Sequence, residues 1–171
     1  MTGVQTCALP IYPRPETKRI FEQIAEAEAN GDNKRKSELK QNNLYYFTPC
    51  VNVFSQRRYS DINFFTGIAV LDFDHIDNAN ELKQFIFNDY KFIIACWLSP
   101  SKKGVKALVK IPIVESIEEF KDYYRGISNI FDGFDGFDGT NKNCVLPLFQ
   151  SYDTDLMYRS NPETFTDKKT E

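Results

Sequence analysis

The stretch Gly67-Ile68-Ala69-Val70-Leu71-Asp72-Phe73-Asp74-His75 constrains this chain more than any other. An apolar run leads straight into two carboxylates separated by one residue. Side chains alternate along a strand, so Asp72 and Asp74 fall on one face with about 6.5–7 Å between their α-carbons. Ile68 and Val70 share that face, while Ala69, Leu71 and Phe73 take the other. A strand apolar on both sides up to its acids suits a buried central strand whose end opens into a cleft. Two carboxylates so spaced converge on divalent cations, as in sites of phosphoryl transfer. The plainer reading is turn and capping chemistry, with Asp77 or Asn78 heading the helix that follows.

With 171 residues the chain is long enough for one domain with a packed core, and Phe (15) and Tyr (9) dominate its apolar content. The formal net charge of -3 does not advertise nucleic-acid binding, so a polyanion would have to meet a local basic patch. No apolar run approaches the roughly 18–20 residues of a membrane span, and a soluble, cytoplasmic protein is expected. Four cysteines without paired spacing, and a single histidine, argue against structural zinc and a disulfide framework.

Residues Met1 to Ile11 resemble a translated sequencing adapter and are set aside with Cys7, so the chain is expected to be a fragment. Residues 12–43 form a helical arm. Ile20, Phe21, Ile24 and Ala27 recur at helical spacing, Gly31-Asp32-Asn33 breaks the pattern, and Lys34 to Gln41 is a second, solvated helix. Its Lys34, Arg35, Lys36 and Lys40 are expected on an exposed face. Leu44 to Phe54 is aromatic and β-branched, with Pro49 marking a turn or a strand edge, and polar Ser55 to Asn63 reads as a loop leading into the central strand. Arg57 and Arg58 in that loop either hold phosphate or simply decorate the surface.

After the acids come a helix from Asn78 to Asn88 with Leu82, Phe85 and Ile86 inward, then a strand from Tyr90 to Leu98. Ser99 to Gly104 turns the chain into a third strand, Val105 to Ile111. There Val105, Ala107, Val109 and Ile111 form one face and leave Lys106 and Lys110 on the other. Glu115 to Ile127 is an amphipathic helix. The F-D-G repeat from Phe131 to Gly139 lacks a calcium-loop pattern and reads as a flexible turn or an expanded loop. Asn143 to Gln150 is expected as a fourth strand, and residues 166–171 as a frayed tail.

This order gives an α+β fold, a small sheet with helices covering one face. The other face gathers Asp72 and Asp74 from one strand and Lys106 and Lys110 from another. Acids for metal and lysine for phosphate are a minimal kit for handling a nucleoside triphosphate. Ser101 and the backbone amides of the Lys102–Gly104 turn, Lys103 among them, add donors for the same phosphates.

The blocks F-T-G-I-A-V-L-D-F-D, S-P-S-K-K-G-V-K-A-L-V and F-Q-S-Y-D-T-D-L-M-Y-R-S-N-P, in this order, resemble the archaeo-eukaryotic primase superfamily. Within it the primase-like domain called VirE N-terminal is most similar, over Tyr46 to Phe165. The resemblance implies an RRM-like antiparallel or mixed sheet within residues 44–165. It also implies template-directed nucleotidyl transfer with Mg2+ or Mn2+, on single-stranded DNA and nucleoside triphosphates, in replication of a mobile element or phage. A helicase in the same or a neighbouring chain is an implied partner. Asp72 and Asp74 match the first motif, as metal ligands. Ser101 through Lys106, with Lys103 and Gly104, match the second, which holds the nucleotide. Asp138, with Asp135 as its substitute, matches the third, a single metal-binding aspartate, so the resemblance implies two-metal phosphoryl transfer with Asp72, Asp74 and Asp138 holding the cations and Lys106 offsetting charge on the phosphates. The chain departs from the pattern at Val145-Leu146-Pro147, where relatives carry an arginine, and near Lys102 or Lys103, where they carry glycine.

Two rivals remain open. A haloacid-dehalogenase-type phosphatase also ends a strand in D-x-D, but it needs Thr or Val where this chain has Ile76. A catalytically inactive relative would keep the sheet and bind nucleic acid. His75, beside the acids, is expected to be an exposed turn residue rather than a ligand.

Overall fold

A computed structural model describes residues 15–140 and 142–170. The leader at 1–11, with Cys7, lies outside the described residues, as do residues 12–14 of the arm. The fold is mixed α+β, with four α-helices and small antiparallel sheets among the described residues. Helices α1 (Pro15–Ala29) and α2 (Asn33–Asn43) form a hairpin. The Asp32 carboxylate caps α2 by accepting the Arg35 N–H at 2.9 Å. Strands β1 (Tyr46–Phe47), β2 (Val51–Val53), β3 (Ile62–Phe65) and β4 (Ile68–Phe73) follow. Then come α3 (Ala79–Asp89), β5 (Ile93–Leu98), β6 (Val105–Lys110), α4 (Ile117–Phe131), β7 (Leu148–Phe149) and β8 (Met157–Tyr158).

The main sheet runs β4-β6-β5-β8, all antiparallel. The acid-bearing strand β4 is therefore an edge strand of that sheet, not a central one. It is apolar on both faces because both are covered. On one face Ala69, Leu71, Phe73, Val105, Ala107 and Val109 build the main core with Ile86, Phe120, Tyr124, Ile127 and Phe131 of α3 and α4. The face expected to lie open carries a second core of Ala95, Trp97, Leu108 and Leu148, flanked by Phe47, Ile68 and Val70. Leu148 and Phe47 are delivered there by a ribbon in which β1 pairs with β7. Beyond it, Phe21, Ile24 and Leu44 of the helical hairpin pack against Phe149 and Tyr152.

Three further expectations are corrected. The polar segment 55–63 does not run as a loop up to β4. It is the tip of a β2–β3 hairpin, closed where Asp61 accepts from Ser55 Oγ at 2.7 Å and Gln56 N–H at 3.0 Å. The segment 143–150 supplies only the two residues of β7, and β8 is the fourth strand of the main sheet. The tail is not frayed over 166–170. Phe165 is buried, Lys169 N–H donates to the Asp122 carbonyl at 3.0 Å, and Lys168 Nζ lies 5.7 Å from the Tyr123 ring centre on α4.

Candidate active site

The β4–β6 register makes Asp72 and Lys106 direct cross-strand partners, so both side chains leave the same face at the same level. Lys106 Nζ donates to Asp72 Oδ1 and stands 3.6 Å from Asp74 Oδ1. One cationic atom thus sits between the two carboxylates. Asp72 and Lys106 are mostly enclosed, at 18% and 13% side-chain exposure, whereas Asp74 at 53% faces the opening. Burial pushes the Asp72 carboxyl above the ordinary carboxylate range, Lys106 pulls it back, and Asp74 and Asp138 push it up again. Next across the sheet, Trp97 is the other partner of Lys106, and its buried indole N–H finds no hydrogen-bond partner among the described residues.

The F-D-G repeat is anchored rather than flexible. Phe131, Phe134 and Phe137 all pack around Phe73, with ring centres 5.8, 6.4 and 5.4 Å away. This clamp lays residues 136–138 along the free edge of β4. Asp74 N–H donates to the Gly136 carbonyl and Asp138 N–H to the Asp72 carbonyl, both at 2.8 Å. Phe73 and Phe137 pair across that bridge towards the core, so Asp138 falls opposite Asp72 on the acid face. Gly136 has φ of +67°, and a β-carbon there would lie 2.1 Å from the Asp74 carbonyl, so the bridge requires glycine. The Asp138 carboxylate accepts from Thr140 N–H at 2.9 Å and Thr140 Oγ1 at 2.6 Å, and its backbone carbonyl accepts from Tyr124 on α4 at 3.3 Å.

The remaining expected site residues divide. Gly104 packs against the acids, where a β-carbon would stand 2.5 Å from the Phe73 carbonyl and 3.0 Å from Asp74 Oδ1. The Ser101 hydroxyl is buried against that of Ser99 at 3.2 Å. Lys103 turns away, with Nζ 3.9 Å from Asp77. Lys110 shares the face of Lys106 but pairs with Ile68, about 13 Å further along the strand, where its Nζ donates to the Pro162 carbonyl at 3.1 Å. Asp135 lines a shallow groove with Ile76, Asp77, Glu81 and Phe85, apart from Asp72. His75 is a turn residue at φ +61°, with a side chain 74% exposed.

Some neighbours of the site were not legible in the sequence. Lys36 is not on a solvated face. It pairs with Glu28 at 2.6 Å, and Glu28 in turn lies 3.3 Å from His75. Lys40 is half-buried, and its ammonium is held below the usual lysine range by burial and then by Lys106 and Lys36, against the opposing pull of Asp74. The helical hairpin therefore brings basic side chains over the acid end of β4. The small cavity beside Asp72 is otherwise walled by Cys50, Val70, Asn143, Leu146, Pro147 and Leu148. At Leu146 and Pro147 this wall is apolar.

The model of the BT4734-like N-terminal domain matches residues 38–158, from the middle of α2 through β8. The chain belongs to this family. No curated protein and no solved structure matches it. The match takes in every residue of the acid cluster in the BT4734-like domain, and Lys40 with them. α1 precedes it.

Proposed function

We propose that this BT4734-like domain is a primase-like nucleotidyltransferase acting on single-stranded DNA. The observation that carries the reading is the convergence of Asp72 and Asp74 on the cross-strand Lys106, with the 136–138 bridge setting Asp138 opposite Asp72. The strand–helix–strand–strand–helix order from β4 to α4, with β4-β6-β5 antiparallel and both helices on one face, supports an RRM-like plan. In that plan the 136–138 segment takes the place beside β4, while β8 lies on the opposite edge.

Asp72 and Asp74, whose oxygens flank the Lys106 ammonium, supply two carboxylate donors for a divalent cation. Those two residues would hold Mg2+ or Mn2+. Among the described residues, no cluster of three or more His, Cys, Asp or Glu is arranged to hold a metal ion. When bound, the metal supplies charge neutralisation on the phosphates and a more acidic attacking hydroxyl. Lys106 then offsets negative charge developing on the transferred phosphoryl group, and Lys40 adds a second ammonium on the arm side. Asp138, held by Thr140 and Tyr124, flanks Asp72 and keeps the pocket anionic.

The test is primer synthesis or extension on single-stranded DNA with Mg2+ or Mn2+. Activity of the wild type, and its loss by at least about a hundredfold in Asp72→Ala and Asp74→Ala, is expected from the weight of metal and electrostatic terms in phosphoryl transfer. Variants as active as wild type would sink the reading. The second reading is a catalytically inactive binding relative. It is favoured by one observation, the Lys106 ammonium standing between the two acids.

A further inference from the structure

We infer that the β2–β3 hairpin and the neighbouring strand β1 form a platform for single-stranded nucleic acid, with bases stacked on Tyr46, Phe54 and Phe64 and phosphates met by Arg57 and Arg58. The proposal deepens the proposed function and rests on it for the strand's purpose, though not for its binding. Alternation within the hairpin is clean. Val51 and Phe65 point into the core, where Phe65 stacks on Phe120 with ring centres 6.1 Å apart. Asn52 and Phe64, cross-strand partners, point out. Phe54 is 76% exposed, and Phe64 and Tyr46 are each 54% exposed. Burial cannot be what these rings do. The tip folds back so that the Arg57 guanidinium lies 5.0 Å over the Tyr46 ring, joining the hairpin to β1.

Three features choose the occupant. Along the sequence the rings are interleaved with Arg57, Arg58 and the amides of Asn52 and Asn63, all exposed or half-exposed. Across residues 51–65 the two arginines face a single acid, Asp61, whose carboxylate is already held by Ser55 and Gln56. That local excess of positive charge, on a chain of net charge -3, complements a polyanion. Flat rings beside guanidinium groups match unpaired bases on a phosphate backbone, whereas duplex bases hide their faces.

The experiment is fluorescence anisotropy with a labelled oligothymidylate and the full chain. Phe54→Ala and Phe64→Ala should each weaken binding at least about fivefold. Arg57→Ala should weaken it and lower the salt slope by about one. Melting temperatures should stay at the wild-type value, because these side chains are exposed. Hairpin variants that bind like wild type overturn the platform, and if primer synthesis survives, the chemistry still stands. Hairpin-dependent binding without any synthesis in the wild type keeps the platform and removes the chemistry. A wild type that ignores the oligonucleotide but forms a dimer dissolved by Phe54→Ala overturns the platform in favour of self-association.

Discussion

Asp72 is under two opposed demands. Enclosure beneath the β1–β7 ribbon disfavours its charge, and Lys106 restores only part of what is lost. Its folded pKa therefore lies above its unfolded one, so the native state holds the proton more tightly. For such an acid, stability is greatest below the unfolded pKa and declines as pH climbs from there through the folded value. Asp72→Asn keeps the shape and deletes the charge. Denaturant unfolding between pH 4 and neutrality should show a wild-type decline that the variant lacks, leaving the variant the more stable protein at pH 7. A variant less stable than wild type at pH 7 would mean that the ion pair with Lys106 outweighs burial. The sequence carried this much of the site: period two placed Asp72, Asp74 and Lys106 on one face, and the β4–β6 register joins them. The same alternation put Lys110 on that face but could not say how far along the strand its partner lies. The F-D-G repeat offered two aspartates, and its phenylalanines separate them, because clamping Phe73 leaves Asp138 opposite Asp72 and Asp135 beside α3.

Elements with a strong period were legible and those held by distant partners were not. α4, with Ser116 capping the Glu119 N–H at 3.1 Å, shows its apolar stripe plainly. The β2–β3 hairpin hides because its tip is polar and its outer face is as exposed as a loop. α3 misleads differently. Phe85 is 45% exposed, whereas Lys83, which composition assigns to the surface, is 1% exposed. Its partner, Asp153, stands 70 residues later in the sequence. Lys83 Nζ donates to Asp153 Oδ2 at 2.8 Å and to the Asp155 carbonyl at 3.0 Å, while Asp153 also accepts N–H groups from Leu98 and Asp155. Burial raises the Asp153 carboxyl, but these donors together outweigh it and hold the acid below its usual range. Its stabilisation is therefore present above the unfolded pKa, near 4, and is lost as pH falls through the lower folded value. Removing one partner leaves a buried charge alone. Lys83→Met should cost about 3–5 kcal/mol in denaturant unfolding at pH 7. Lys83→Met combined with Asp153→Leu should recover part of that loss. A cost under about 1 kcal/mol for the single variant would show that water replaces the lysine.

The whole molecule is a sheet enclosed from both sides, and the sides differ in kind. α3 and α4 give one face a continuous apolar core, while the other face is a patchwork of β1–β7 ribbon, helical hairpin and polar pocket. The arm holds on through few groups: Phe21 stacked on Tyr152 at 6.3 Å between ring centres, Ile24 and Leu44 beneath, and Glu28 reaching towards His75. A chain beginning at Leu44 should therefore keep the β4-β6-β5 sheet with α3 and α4, since every residue of the main core lies beyond that point. It should nonetheless expose Phe149 and Tyr152, bind a hydrophobic dye more strongly, and melt several degrees lower. Each large apolar side chain returned to water costs about 1.5–3 kcal/mol. It should also lose affinity for nucleoside triphosphates, because Lys40 leaves with the arm while Lys106 stays beside Asp72 and Asp74. Calorimetric titration of the truncated and full chains with a nucleoside triphosphate and Mg2+ checks this, with Lys40→Ala in the full chain as its partner. Equal affinity in all three proteins would make the helical hairpin a cover for apolar surface and nothing more. Weak binding in both altered proteins, with the Lys40→Ala chain melting like wild type, would make it a wall of the site.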